Sequence, residues 1–415
     1  MPSETSTAAD LIATAASILF LNGQSSESTG ASVRRFGDAL GVKADLLLRW
    51  GEVVLWVEGR PAPIILAAKP TSVDMGRVAA VLRIIDEVAA GRMDPPAAAA
   101  ALDTVSRMPP VNVLRFAAMA AAGAAALGVI FGAASFATLA VIALSAGCGG
   151  LLRRLISHLS HNTLVQPFGA ALLAGVVGVI AIRMDIGVDP RLVLVCPCMV
   201  LVPGPHVLNG TIDLARARLT IGSARLVFAG LVVLMICAGL LLGLMAGNIS
   251  LPTAGPDRVV PWYVDMVAAG IAVSAYGTFF NMPWRMLPAP MLVGMLAHGM
   301  RWVLLASGAS IAGSSLAACF IVGILAAPLT ARLRYPFAGF SFAAVVSMVP
   351  GVFLFETAAA LVELTNMGEG APAQLLVHAT VNGITALIII LAMTVGLIVP
   401  KMLYDNYLGS LRHRE

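Results

Sequence analysis

The chain has 415 residues, of which 59% are hydrophobic and 12% charged, and its formal net charge is +4. That balance excludes an ordinary soluble protein of this length. So small a net charge gives no reason to expect a nucleic-acid partner.

Charge is unevenly placed. Residues 1–110 hold 22 of the 48 charged side chains, and the other 305 residues hold 26. The chain therefore reads as a polar domain over 1–110, then a membrane part divided into 111–250 and 251–415. The start, Met1-Pro2-Ser3-Glu4, has no basic region, and the apolar run 11–21 is too short to span. No secretory signal is read, and the first domain is expected in the cytoplasm.

In chain order, helices are predicted over 8–22 and 28–41, separated by the polar Gly23-Gln24-Ser25-Ser26 loop. Short strands follow at 46–50, 53–57 and 64–68, with a turn near Gly59-Arg60-Pro61. Thr71 or Ser72 can cap a helix over about 73–91, with Asp74 in its first turn. Asp94-Pro95 starts another at about 95–107. This describes a small α+β domain with no histidine, no cysteine and no glycine-rich phosphate loop.

Met108-Pro109-Pro110 marks the boundary. Ten candidate spans follow: about 113–132, 134–151, 166–183, 191–210, 223–246, 259–280, 286–306, 308–330, 336–360 and 377–400. Each is close to the roughly 20 residues that cross about 30 Å of hydrocarbon. Small residues recur at helix-contact spacing in Gly128/Gly132 and Gly239/Gly243/Gly247. The five cysteines read as small packing residues. Cys196 and Cys198 flank Pro197, but no histidine or further thiol is close enough in sequence to complete a zinc set, so no metal and no cofactor are expected.

Orientation follows from basic residues. With a cytoplasmic N-terminal domain, the inner loops and C-terminus carry Arg153, Arg154, Arg216, Arg218, Arg225, Arg285, Arg332, Arg334, Lys401, Arg412 and Arg414. The outer loops carry Arg183, Arg191 and Arg258. The asymmetry fits the positive-inside rule with an even number of spans and both termini cytoplasmic.

Two apolar stretches are broken alike, at Val202-Pro203-Gly204-Pro205 and Val349-Pro350-Gly351-Val352. Proline removes a backbone donor and glycine loosens the helix, so both spans should be interrupted at membrane depth. The prolines are 147 residues apart, and the same offset places Arg154 on Arg301, Gly147 on Gly294 and Asn209 on Glu356. Two copies of five spans follow. An odd number per copy inverts the second relative to the first, the usual basis of alternating access about a midplane site.

Pro203, Gly204, Pro350 and Gly351 are therefore expected at a substrate site, where exposed carbonyls attract an ammonium and half-helix N-termini attract a carboxylate. Glu356, just beyond the second break, can carry a proton or pair with a substrate ammonium; the alternative is a position at the outer interface. Asn209 and Thr357 offer uncharged hydrogen bonds there. His206 can relay a proton or simply pack at the break. His298 and Arg301 share a helix face. Arg301 can grip a substrate carboxylate in a two-pronged contact or snorkel outward. Asp265 reads as interfacial, with an ion or proton role as its alternative. His378 and Asn382 can face the same cavity. Glu356, His298, Asp265 and His378 are the proton-coupling candidates.

With those residues in view, the chain resembles the threonine/serine exporter family over nearly its whole length. The Val33-Arg34-Arg35-Phe36-Gly37-Asp38-Ala39-Leu40-Gly41-Val42 and Gly91-Arg92-Met93-Asp94-Pro95 segments resemble that family's cytoplasmic-side domain. The two Val-Pro-Gly breaks resemble its paired segments. In some relatives the halves are separate chains, and one such pair is associated with succinate export. The resemblance implies ten spans and proton-motive-force-driven efflux of small hydroxylated amino acids. The family's N-terminal domain has been likened to a hydrolase, but residues 1–110 here offer no Ser-His-Asp or Cys-His set.

The expectation is thus a membrane all-α protein of about ten helices in two inverted five-helix repeats, with a small cytoplasmic α+β domain. It is a secondary exporter of threonine or serine and not an enzyme, placed in a bacterial-type inner membrane. Its partners are a small amino-acid or dicarboxylate substrate, protons and lipid, with a homo-oligomer allowed. The rivals are a C4-dicarboxylate exporter, a hydrolytic or regulatory N-terminal domain, and a passive channel.

Overall fold

A computed structural model describes residues 4–160, 162–249 and 260–408. Met1 to Ser3, Arg258, Arg412, Arg414 and the first residue of the 259–280 segment lie outside the described residues.

The N-terminal region runs α1 (Glu4–Leu21), α2 (Ser26–Ala39), β1 (Ala44–Arg49), β2 (Gly51–Val57), β3 (Ile64–Ala68), α3 (Met75–Ala89) and α4 (Pro95–Ser106). The strands form an antiparallel sheet in the order β1-β2-β3, with Leu46 opposite Leu55 and Val53 opposite Leu66. One residue, Trp50, separates β1 from β2, and Gly51 takes the sharp reversal at φ +103, a conformation that disfavours a side chain. Helices and sheet close over a core of Ile12, Leu19, Phe20, Phe36, Leu55, Val78 and Leu102. Ile221 from the membrane part completes this core, so the two regions share apolar packing.

Capping explains the helix starts. Asp94 accepts from the Ala97 amide at 2.8 Å, where the Asp-Pro signal placed it. At α3 the expected Thr71 or Ser72 cap is displaced. Asp74 does that work, accepting from the Arg77 amide at 2.9 Å, and α3 begins one residue later. The Asp74 side chain reaches the orphan amide, while the Ser72 hydroxyl donates to the Leu21 carbonyl.

The membrane part contains α5 (Val113–Ile130), α6 (Phe136–Leu159), α7 (Val165–Arg183), α8 (Pro190–Met199), α9 (Gly204–Ala215), α10 (Leu219–Ala246), α11 (Trp262–Phe279), α12 (Pro288–Ala306), α13 (Ile311–Leu333), α14 (Phe337–Val345), α15 (Gly351–Met367) and α16 (Ala373–Leu403). Among the described residues, seven helices are long and apolar enough to cross a bilayer, and nine spans result if each bent pair counts as one. α11, at the sixth expected span, is not among them; it carries Asp265, Tyr263 and Tyr276.

Both expected interruptions are present. α8 and α9 meet at 59°, and α14 and α15 at 64°. Pro203 and Pro350 sit at the starts of α9 and α15, where a missing amide hydrogen costs nothing within the helix. α8 and α14 start at 190 and 337, and α9 and α15 at 204 and 351, so both pairs keep the 147-residue offset.

Helix pairings recur as well. α5 packs on α6, α7 on α10 and α9 on α10 in the first half. In the second half α11 packs on α12, α13 on α16 and α15 on α16. α5 meets its counterpart α11 across the centre. Close approach needs small residues: a methyl group at Gly243 would lie 2.8 Å from the Gly175 Cα, so α7 and α10 touch backbone to backbone.

Candidate functional site

The breaks face each other inside the protein. α8 packs on α15, and α9 packs on α14, so each half's first short helix meets the other half's second. Gly204, Pro205, Pro350 and Gly351 are buried, and Pro203 is half-buried. A Cβ at Gly204 would sit 1.5 Å from Cζ of Phe342, so only glycine lets α9 pass α14. Between the breaks lies an apolar cavity of about 80 Å³ lined by Val202, Gly204, Phe342, Val349 and Pro350. Carbonyls freed where α8 ends must find donors. Cys198 and Met199 accept from the Leu201 and Val202 amides, and the buried Tyr276 hydroxyl also donates to Met199 at 2.5 Å.

The first break opens onto a polar cavity of about 290 Å³. Its walls include Val200 to Pro203, His206, Tyr276, Phe116 and Phe279, the Thr71 to Val73 segment from the N-terminal region, and two cations, Arg153 and Arg154. Arg154 gives its Nη2 to the Val111 carbonyl at 3.0 Å and lies 4.5 Å over Phe116. Arg153 is flanked by Phe116 and Phe279, with its guanidinium 5.7 and 5.3 Å from their ring centres. His206 packs edge-on against Phe228 at 5.0 Å.

The second break is sealed by polar contacts instead. His298 Nδ1 lies 2.8 Å from Asp265 Oδ2, and its Nε2 lies 2.6 Å from Ser347 Oγ, just before the break. His298 is 0% exposed, and Asp265 and Ser347 are buried beside it. Asp265, in the first turn of α11, is thus packed against His298 rather than exposed. An imidazole engaged at both nitrogens, between a carboxylate and a hydroxyl, can hold a proton and pass it along the line. Arg301 stands one turn further along α12, and its Nε is buried without a hydrogen-bond partner.

Glu356 is paired rather than free. Its Oε1 lies 3.1 Å from Nε of Arg191, in a charge contact whose angle does not make a hydrogen bond. Its Oε2 accepts from Asn382 Nδ2 at 2.9 Å, with His378 Nε2 3.9 Å away. Asn382 also lies 3.0 Å from His378 Nε2. The pair joins α8 of one half to α15 of the other. Arg191 lies nine positions before Val200 at the cavity, about 14 Å along the helix. Arg191 was counted among loop charges, yet it lies in the first turn of α8. Thr357 turns its hydroxyl back to the Phe353 carbonyl at 2.7 Å, and so toward its own helix.

Asn209 does not join this group. Its Nδ2 donates to the Gly23 carbonyl at 2.9 Å, which ties α9 to the loop between α1 and α2. Around it is a buried latch. Asp213 Oδ2 accepts from Arg225 Nη1 at 3.0 Å and from Ser26 Oγ at 2.9 Å. Arg225, placed by the sequence in an inner loop, is 1% exposed within α10. At the rim, Glu27 pairs with Arg216 at 3.2 Å and with Arg218. Burial alone would raise the Glu27 pKa, but the Arg218 hydrogen bond and the Arg216 and Arg218 charges win and lower it. At Asp74, burial dominates and raises the pKa despite the Arg77 amide and charge.

Sequence reasoning passed over Arg153, Arg191 and Ser347 as site residues. The 147-residue offset that matched Arg154 to Arg301 pointed at this face of α6, but nothing in the chain order joins Arg191 to Glu356. Among the described residues no group of three or more His, Cys, Asp or Glu is placed to hold a metal.

Two family models match the chain. ThrE, a threonine/serine exporter model, covers residues 10–246, and ThrE_2, described as threonine/serine exporter, ThrE, covers residues 265–403. No solved structure matches.

Proposed function

This chain belongs to the threonine/serine exporter family, and we propose that it exports threonine, serine or similar small amino acids by alternating access, coupled to protons. The family makes it a multi-pass membrane transporter. The observation that carries the mechanism is the pair of breaks at one offset, packed on each other beside a polar cavity. Unwound backbone at membrane depth is tolerated where it lines such a cavity.

In this reading the two halves are inverted copies, the region before α5 lies in the cytoplasm, and both ends of the chain are on that side. The cavity at the first break is the inward-facing substrate chamber. Arg191 and Glu356 close the opposite end. A proton arriving at Glu356 neutralises the carboxylate and weakens its hold on Arg191, which lets the outer end part. The Asp265–His298–Ser347 line holds a second exchangeable proton at the other break, and His378 stands beside Glu356.

A second reading, C4-dicarboxylate export, is favoured by the two adjacent guanidinium groups in the chamber. Full-length protein in proteoliposomes separates the two. The proposal expects threonine or serine to accumulate against its gradient when a pH gradient is imposed, with succinate a poor competitor. Succinate accumulation without threonine movement favours the rival. Flux without accumulation indicates a passive channel.

A further inference from the structure

Resting on the exporter reading, we infer that Arg153 is the residue that binds the carboxylate of the exported amino acid, and so sets selectivity for carboxyl-bearing substrates. Nothing in the family match assigns this role, and the sequence pointed to Arg301 instead.

Partnering separates the basic residues near the breaks. Arg191 is paired with Glu356, and Arg225 with Asp213. Arg154 is committed to the Val111 carbonyl, and Arg115 to Thr278 and the Met282 carbonyl. Arg301 Nε is unpartnered as well, but Arg301 does not line this cavity and lies within reach of the Asp265 charge in the other half. Arg153 lines the 290 Å³ cavity with no carboxylate, carbonyl or hydroxyl within bonding distance among the described residues, and its Nε is buried and unpartnered. Arg153 is half-buried, and a cation partly removed from water with no counter-charge favours an anion beside it.

The surroundings aim it. Phe116 and Phe279 flank the guanidinium, 5.7 and 5.3 Å from their ring centres, in cation-π range. The planar fork matches a carboxylate in a two-pronged contact. Arg153 also lines a deeper void of about 10 Å³ with Ser145, Gly149, Pro197 and Leu201. Ser145 Oγ is buried there without a partner. Arg153 therefore lies between the chamber and the interior beside the first break. At about 290 Å³ the chamber falls at the small end of ligand sites, in keeping with a small amino acid.

The test compares L-threonine with L-threoninol, in which CH2OH replaces the carboxylate, as competitors of labelled threonine uptake into proteoliposomes holding the full-length chain. The wild type should favour threonine by roughly ten- to a hundredfold, the span expected for hydrogen bonds to a charged group. Arg153→Gln should bring that ratio close to one, Arg153→Lys should keep part of it, and Arg301→Gln should lower flux while keeping the ratio. Thermal melting and size-exclusion elution establish that each variant is folded. A folded Arg153→Gln protein that keeps the wild-type ratio overturns the assignment while the exporter reading stands. A wild-type protein that moves neither threonine nor serine overturns both.

Discussion

The two breaks share a backbone design and differ in chemistry. The Pro203 break opens onto a chamber with a free guanidinium and is tied to the N-terminal region through Asn209, Asp213 and Arg225. The Pro350 break is closed by Asp265, His298 and Ser347, with Glu356 held by Arg191. At the 147-residue offset the second copy has Ala360 where the first has Asp213, and Leu151 stands where the second has His298. The Pro-Gly interruption recurs, while the side chains around it differ: the first break faces a cavity with two guanidinium groups, and the second carries an Asp-His-Ser line of contacts.

The largest expected effect breaks the latch. Asp213→Asn leaves Arg225 buried without its charge partner and should cost about 3–5 kcal/mol, read as a lower melting temperature in detergent. Replacing both by apolar residues should recover much of that loss. At the second break the matching position, Ala360, is buried and holds no charge, so Ala360→Ser should cost no more than about 1–3 kcal/mol, the penalty of burying a hydroxyl.

Next is steric asymmetry. Gly204→Ala drives a methyl into the Phe342 ring and should cost about 1–3 kcal/mol or more. Gly351→Ala meets the Met199 side chain at 2.9 Å, which can bend away, and should cost less than about 1.5 kcal/mol.

Proton chemistry is tested by His298→Gln and Glu356→Gln. Each should reduce pH-driven accumulation of threonine to background while exchange of labelled for unlabelled threonine persists. Full coupling in either variant removes that residue from the proton path.

The smallest effect lies at the rim. Glu27→Gln should cost at most about 1 kcal/mol, because the pair is partly solvated. The folded pKa of Glu27 is lowered, so its stabilisation is present above the ordinary glutamate value and is lost as pH falls through the folded one. Acid melting curves of wild type and Glu27→Gln should therefore converge only once pH falls below that lowered folded pKa.

Much of this was legible in the residues. Val-Pro-Gly at two positions located both bends, because proline cannot donate and glycine fits where backbones touch. Asp94-Pro95 announced α4. Asp74 showed where such reading fails: Thr71 and Ser72 were the candidate caps and Asp74 was placed in the first turn, yet the fold brings Asp74 to the orphan amide. Hydropathy located most of the spans, while α11 is too polar to count as one by composition, since it carries Asp265, Ser274, Thr278 and two tyrosines.

By itself the sequence determined the split into polar and apolar regions, the two interruptions and the repeat offset, since periodicity, proline and hydrophobicity act locally. Only the tertiary structure decided which charges are paired and which stand free. Arg191 and Glu356 are 165 positions apart in the chain, and Asp265 and His298 lie on different helices. An ion pair depends on distance in space, and burial removes the water that would otherwise screen each charge alone.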